Sequence, residues 1–148
     1  MAGVRTHQEL VCWQLLDEIK TRIYRILGTP AVRQDYEYCR QIRRAIRSAA
    51  ALIAEGFGRR RHAEFARYLE LSLGELAETE ERLRDGAQSG HIPVDEYREL
   101  WRLCYRAKRA SSALLAYQRR RVDADQRAEA EKRLRRREER KTKPPCGT

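Results

Sequence analysis

The residues in this sequence best equipped for chemistry are arginines. Arg33, Arg40, Arg43, Arg44 and Arg47 recur at spacings that place them within an arc of roughly 100° on one helix. Arg59, Arg60 and Arg61 follow Gly58, and Arg119, Arg120 and Arg121 open a basic C-terminal segment. A guanidinium pairs bidentately with phosphate or carboxylate and stacks on planar rings, so the expected partner is a polyanion. The first stripe has almost no interspersed acid, and its like charges repel at i,i+3 and i,i+4. A face kept merely solvated would alternate signs, as Arg67, Glu70, Glu78, Glu81, Arg82 and Arg84 do.

Other reactive side chains lack the company that catalysis needs. His7, His62 and His91 fall in separate segments near expected helix ends, with no cysteine or carboxylate at metal-ligand spacing, so neither a metal nor a cofactor is expected. Glu55 sits between an apolar helix end and a glycine, flanked by arginines. The expected role is to fix the turn, because no second titrating partner is in register. Ser48 and Ser72 have no base beside them. Cys12, Cys39, Cys104 and Cys146 form no CxxC pair, and the first three sit among apolar residues as reduced core thiols. The protein is therefore expected not to be an enzyme.

The elements that position these residues are helices. Ala, Leu, Arg and Glu dominate, while glycine and proline number only 8 and 4. Stepping about 100° per residue predicts four helices. The first spans about 6–27, opened by a Thr6/Glu9 capping box and stopped at Gly28-Thr29-Pro30. Its inner stripe is Cys12, Leu15, Leu16, Ile19, Ile23, Ile26 and Leu27. The second spans about 32–55, with Ile42, Ala45, Ile46, Ala49, Leu52 and Ile53 inward, the arginine stripe outward, and Gly56 as C-terminal punctuation.

The third spans about 62–88, with Phe65, Leu69, Leu73, Leu76 and Leu83 inward. The fourth starts near Pro93 and turns Tyr97, Leu100, Trp101, Cys104, Ala107, Ser111, Leu114 and Leu115 to one side. Short loops between long amphipathic helices predict an all-α fold, an antiparallel up-down-up-down four-helix bundle. Ala49 to Ala51 and Gly74 are small enough to allow close helix approach. Tyr68, Leu71 and Leu103 fall off the buried arcs and are candidates for a surface between protomers.

Length and charge divide the chain. At 148 residues it fits one domain, residues 1–118, followed by an arginine-rich extension over 119–148 that is either a solvated helix or a conditionally ordered arm. The net charge is +10, of which 33–61 carries +5 and 119–143 carries +6, on a nearly neutral body. No apolar run approaches the roughly 20 residues of a membrane span, and no secretory signal is recognisable, so a soluble, cytoplasmic protein without membrane attachment is expected.

Val11, Trp13, Gln14, Ile23-Tyr24, QIRRAIRS, IAEGFGR and the Phe65, Leu69, Leu73-Gly74, Leu76, Glu78 series resemble one family. It is the four-helix-bundle family encoded within ribosomal RNA intervening sequences, which includes the accessory variability determinant of diversity-generating retroelements. The resemblance covers about residues 8–118. It implies a four-helix protomer, a ring-like homopentamer and a basic surface that binds nucleic acid. In the retroelement branch it also implies contact with a reverse transcriptase. Two departures stand out: Ala49, Ala50 and Leu52 replace an Ile-Pro-x-Asn set, and Glu75 follows Gly74 where a small residue is usual.

The sequence thus points to a non-catalytic, oligomeric accessory protein that grips RNA or DNA phosphates. Contact would run through Arg33, Arg40, Arg43, Arg44, Arg47 and Arg59 to Arg61, with Arg119 to Arg121 adding reach, and without reading bases. The alternative is a protein-interaction scaffold whose arginines serve interface salt bridges.

Overall fold

The computed structural model describes residues 3–142, all of whose regular structure is helical. A 3-10 turn, His7–Glu9, leads into α1 (Val11–Leu27); a single turn α2 (Pro30–Arg33) precedes α3 (Tyr36–Gly58); α4 (His62–Gln88) and α5 (Val94–Thr142) follow. The four long helices pack together. Their common core is filled by Leu16, Ile19, Ile23, Ile42, Ile46, Ile53, Leu69, Leu76, Leu83 and Leu100, each essentially without solvent contact.

Helix starts differ from expectation for local reasons. Glu9 reaches back to the amide of Arg5 (3.1 Å) and only loosely to the Thr6 hydroxyl, so the Thr6/Glu9 pair closes a 3-10 turn instead of capping α1. Leu10 caps α1 and is itself buried. The expected helix over 32–55 is broken at Gln34-Asp35. Pro30 starts α2 at a position where its missing N–H costs nothing, and Asp35 restarts the chain by accepting from the Tyr38 amide at 3.1 Å. Arg33 therefore lies on α2, outside the helix that carries the rest of its stripe.

The seam between α3 and α4 is held by polar pins inside an apolar contact. Tyr38 donates to the Arg82 carbonyl (2.9 Å), and Ser72 donates to the Ala49 carbonyl (2.7 Å). Arg44 meets Glu78, and Tyr68 meets Glu55, so partner numbers on α4 fall as those on α3 rise. Gly56 is not the helix stop that punctuation suggests. It is buried inside α3, where a Cβ would lie 2.6 Å from Tyr68 Cβ and 2.9 Å from the Phe65 ring. Gly86 plays the same part on α4, against the Tyr38 hydroxyl and Ile92. Gly74, expected at a close approach, is exposed with nothing near its Cβ position.

The α4–α5 connection turns on Gly90 at φ 82°, a left-handed conformation that side chains rarely adopt, while the amides of His91 and Ile92 return to the Gly86 carbonyl. α5 then runs for 49 residues, roughly 73 Å at 1.5 Å per residue. Lys108 pairs with Glu80 at 2.7 Å, and Gln118 is the last buried residue. The helix continues unbroken past 118/119; Val122 is half-buried, and every side chain from 123 to 142 is exposed. Two side chains swap their expected places: Leu103 is buried, 4% exposed, whereas Trp101 stands 47% exposed at the flank of the inner arc. Cys12, Cys39 and Cys104 are buried free thiols; Cys146 lies outside the described residues.

Gly86→Ala tests the tight α3–α4 seam. The added methyl displaces the Tyr38 hydroxyl or the Ile92 side chain, and overpacking of this kind costs about 1–3 kcal/mol. Urea denaturation followed by circular dichroism should show that loss, and Gly74→Ala should show none. Equal midpoints for wild type and Gly86→Ala would mean that the seam is looser than the structure has it.

Candidate nucleic-acid interface

The outward arginines of α3 lie beside α1, and the two helices shape a pair of adjoining depressions. One, of about 520 Å³, is lined by Arg33, Arg40, Arg43, Arg44 and Arg47 with Tyr36, Leu27 and Cys39. The other, of about 590 Å³, is lined by Trp13, Lys20 and Tyr24 of α1 facing Arg43, Arg47 and the alanines of α3. Arg43 and Arg47 belong to both, which makes the face continuous. The structure thus brings the five stripe arginines together and adds three exposed or half-exposed aromatic rings.

Not all five are equivalent. Arg40 is held bidentately by Glu37, at 3.0 and 2.7 Å. Arg44 reaches across to α4 and meets Glu78 at 2.6 Å and Glu75 at 3.6 Å. These carboxylates hold the pKa of each guanidinium above its ordinary value, chiefly through the hydrogen bonds from Glu37 and Glu78. Arg43 lies 5.5 Å over the Tyr24 ring, a cation–π contact that leaves its N–H groups free to donate. Arg33, Arg43 and Arg47 have no carboxylate partner among the described residues. The stripe is therefore split: two members are neutralised internally and three are left for an external anion.

The Arg59–Arg61 cluster sits elsewhere, at the turn between α3 and α4. Arg59 is committed: its guanidinium bonds Glu55 Oε1 at 2.7 Å and lies over Tyr68, while the Tyr68 hydroxyl donates to the same oxygen at 2.9 Å. Glu55 thus fixes the turn, as its sequence context suggests. Arg60 takes φ 57°, a left-handed conformation that residues with side chains rarely adopt. Arg61 has only Glu64 near, at 3.9 Å. On the extension, Arg119 pairs with Glu70, whereas Arg120 and Arg121 are exposed and meet no carboxylate among the described residues. None of Arg119–Arg121 lines the α1/α3 face.

The aromatic members Trp13, Tyr24 and Tyr36, and Lys20, were not legible as interface residues. The spacing of Trp13, Lys20 and Tyr24 on α1 is ordinary, and only the packing of α1 against α3 puts them beside the arginines; Tyr36 opens α3 itself. Among the thiols, burial pushes Cys12 up to about 11 and Cys104 up to about 12, so neither offers a thiolate nucleophile near neutral pH. His91 bonds Asp35 at 2.9 Å, and His62 lies 2.5 Å from Gln118. Both histidines tie helix starts to neighbouring elements.

The Arg59 and Tyr68 hydrogen bonds hold the Glu55 carboxyl below its ordinary 4.5. A depressed folded value adds stability above the ordinary pKa and loses it as pH falls through the folded value. The melting-temperature gap between wild type and Glu55→Gln should therefore be widest at neutral pH, shrink as the pH falls below the ordinary 4.5, and close once it passes the lowered folded value. A gap independent of pH would show that the charge at Glu55 contributes nothing.

The family model described as 23S rRNA-intervening sequence protein matches residues 8–113, which is well over half of the chain, and the chain belongs to that family. No curated protein matches it.

Proposed function

With membership of the 23S rRNA-intervening sequence protein family as premise, we propose that this is a non-catalytic protein that binds RNA or DNA through the α1/α3 face. One observation carries the reading. Arg33, Arg43 and Arg47 line a continuous basic surface without carboxylate partners among the described residues, and Trp13, Tyr24 and Tyr36 are interleaved with them. Guanidiniums follow a phosphate backbone, and aromatic rings stack unpaired bases whatever their identity. The family's name, which refers to ribosomal RNA, favours RNA as the first ligand to try.

The finer reading extends this one. The four helices form an up-down-up-down antiparallel bundle, supported by the opposed numbering of the α3–α4 pairs. Residues 1–118 act as the folded unit and 119–148 as a basic extension, a division supported by the end of burial at Gln118. The protein works in the cytoplasm as a homo-oligomer, a ring of five, and assists the reverse transcriptase of a diversity-generating retroelement by holding its nucleic acid. Resemblance supports these last points. The second reading, a scaffold that docks on another protein, is favoured by Trp101 and Tyr105, which stand 47% and 56% exposed on α5.

The test is the salt dependence of affinity for a labelled single-stranded RNA, read by fluorescence anisotropy. Three phosphates neutralised give a log–log slope of about −2, hence roughly twentyfold weaker binding at 200 mM than at 50 mM salt. Arg43→Ala and Arg47→Ala should each flatten the slope by about 0.7. Arg84→Ala, on α4 and paired with Glu81, should leave it unchanged. A flat dependence, or no binding at low salt, rejects the reading and favours the scaffold.

A further inference from the structure

A second concave feature lies at the other end of α3 and takes no part in the α1/α3 face. It is a cavity of about 440 Å³ where the N-terminal segment, the α3–α4 turn and α5 meet. Its floor is apolar, made by Val4, Phe57 and Phe65 together with the backbone of Gly56. Its rim carries Arg5, Arg60 and Arg61. Among the described residues no acidic side chain lines it.

Gln118 closes the cavity from α5. The residue is 1% exposed, and its amide nitrogen Nε2 has no hydrogen-bond partner among the described residues. The amide oxygen is already used, since His62 Nδ1 lies 2.5 Å away and in this orientation must be the donor. Leaving a buried N–H₂ unsatisfied costs on the order of 1–3 kcal/mol, so the group calls for an acceptor. α4 starts at the same place. Its N-cap, Arg61, offers no side-chain acceptor, so the first-turn amides of this 27-residue helix also point outward without intrahelical partners. The positive end of the helix dipole adds to the attraction.

Every unsatisfied group here is a donor, and every charge on the rim is positive. The acids nearest the rim are Glu9, whose carboxylate accepts from the Arg5 amide at 3.1 Å, and Glu64, 3.9 Å from the Arg61 guanidinium. Asp125 and Glu129 line the adjoining groove along the α5 extension, together with Arg133 and Arg137. Arg60 is held over the cavity mouth in a left-handed backbone conformation and pairs with no carboxylate among the described residues.

We propose that this cavity binds a phosphate monoester. The dianion sits among Arg5, Arg60, Arg61, the start of α4 and the Gln118 amide, and its organic body lies against Phe57 and Phe65. A diester inside a strand carries one charge and continues on both sides, which a cavity with an apolar floor accommodates poorly. A monoester brings two charges and a single body. A terminal nucleotide of a strand and a free nucleotide share that chemistry. The proposal is independent of the α1/α3 face, because no residue is common to the two.

The experiment titrates adenosine 5′-monophosphate, inorganic phosphate and adenosine into isotopically labelled full-length protein, following the Gln118 side-chain amide by NMR. The nucleotide should shift the Gln118 resonances, inorganic phosphate should do so more weakly, and adenosine should not. Arg5→Ala and Arg60→Gly, both exposed and compatible with the backbone, should each weaken nucleotide binding by roughly tenfold, as loss of a charged hydrogen bond implies. Arg47→Ala should leave nucleotide binding unchanged even if RNA binding at the other face is lost. A strand bearing a 5′-phosphate that binds no better than its 5′-hydroxyl counterpart, while the nucleotide still binds, assigns the cavity to free nucleotides. A Gln118 amide unmoved by the nucleotide overturns the proposal, as does equal affinity for adenosine or for inorganic phosphate.

Discussion

The close approach of α3 and α4 is the constraint on which the rest of the structure depends. Gly56 and Gly86 remove the side-chain volume that would hold the helices apart, each at a point where a tyrosine from the other helix closes in. Once the backbones are that near, Ser72 reaches the Ala49 carbonyl and Tyr38 reaches the Arg82 carbonyl. A serine or tyrosine hydroxyl buried without such a partner would cost more than it contributes, so these bonds also select one register. Sliding α4 by a turn would leave both hydroxyls unsatisfied together.

That register decides the electrostatics. It puts Glu75 and Glu78 of α4 within reach of Arg44, and Glu55 beside both Arg59 and Tyr68. Five arginines that look alike in the sequence acquire two different jobs. Arg40 and Arg44 are anchored by carboxylates, and they hold the edge of the face in place. Arg33, Arg43 and Arg47, turned toward α1, keep their donors available. Exposed pairs of this kind stabilise little, typically under about 1 kcal/mol each, so their main effect is on which guanidiniums remain open.

Much of this was legible in the sequence, and what escaped has definite physical causes. The inner stripes of α1 and α3 were readable because burial follows the 3.6 period, and Ile19, Ile23, Ile42, Ile46 and Ile53 are all inside. Trp101 and Leu103 were misplaced because each sits at the edge of an arc, where the neighbour's position and not the period decides exposure. Gly56 and Gly74 were misread for a related reason. A helical glycine can end a helix, admit a neighbour or do neither, and only the partner helix distinguishes these. The pairing of Arg44 with Glu78 joins residues 34 apart, and the grouping of Trp13 and Tyr24 with Arg43 joins different helices; no single-helix pattern carries either.

The extension shows how a helix can persist with nothing to pack against. Over 119–142 it carries eleven basic and six acidic side chains and little apolar surface, and Leu134 stands 58% exposed. An isolated segment of this length is marginal in water because the first turn is costly to nucleate. Here α5 has already met that cost inside the protein, and each added residue needs only propagation. Ala124, Ala128, Ala130 and the long straight side chains around them propagate well, and Arg133 with Glu129 adds an i,i+4 contact at 3.4 Å. The same fusion has a directional consequence. Gln118 is the last side chain that α5 buries, and its free amide faces the cavity at the start of α4. Any ligand that satisfies that amide touches the junction at which the packed part of α5 becomes the solvated part.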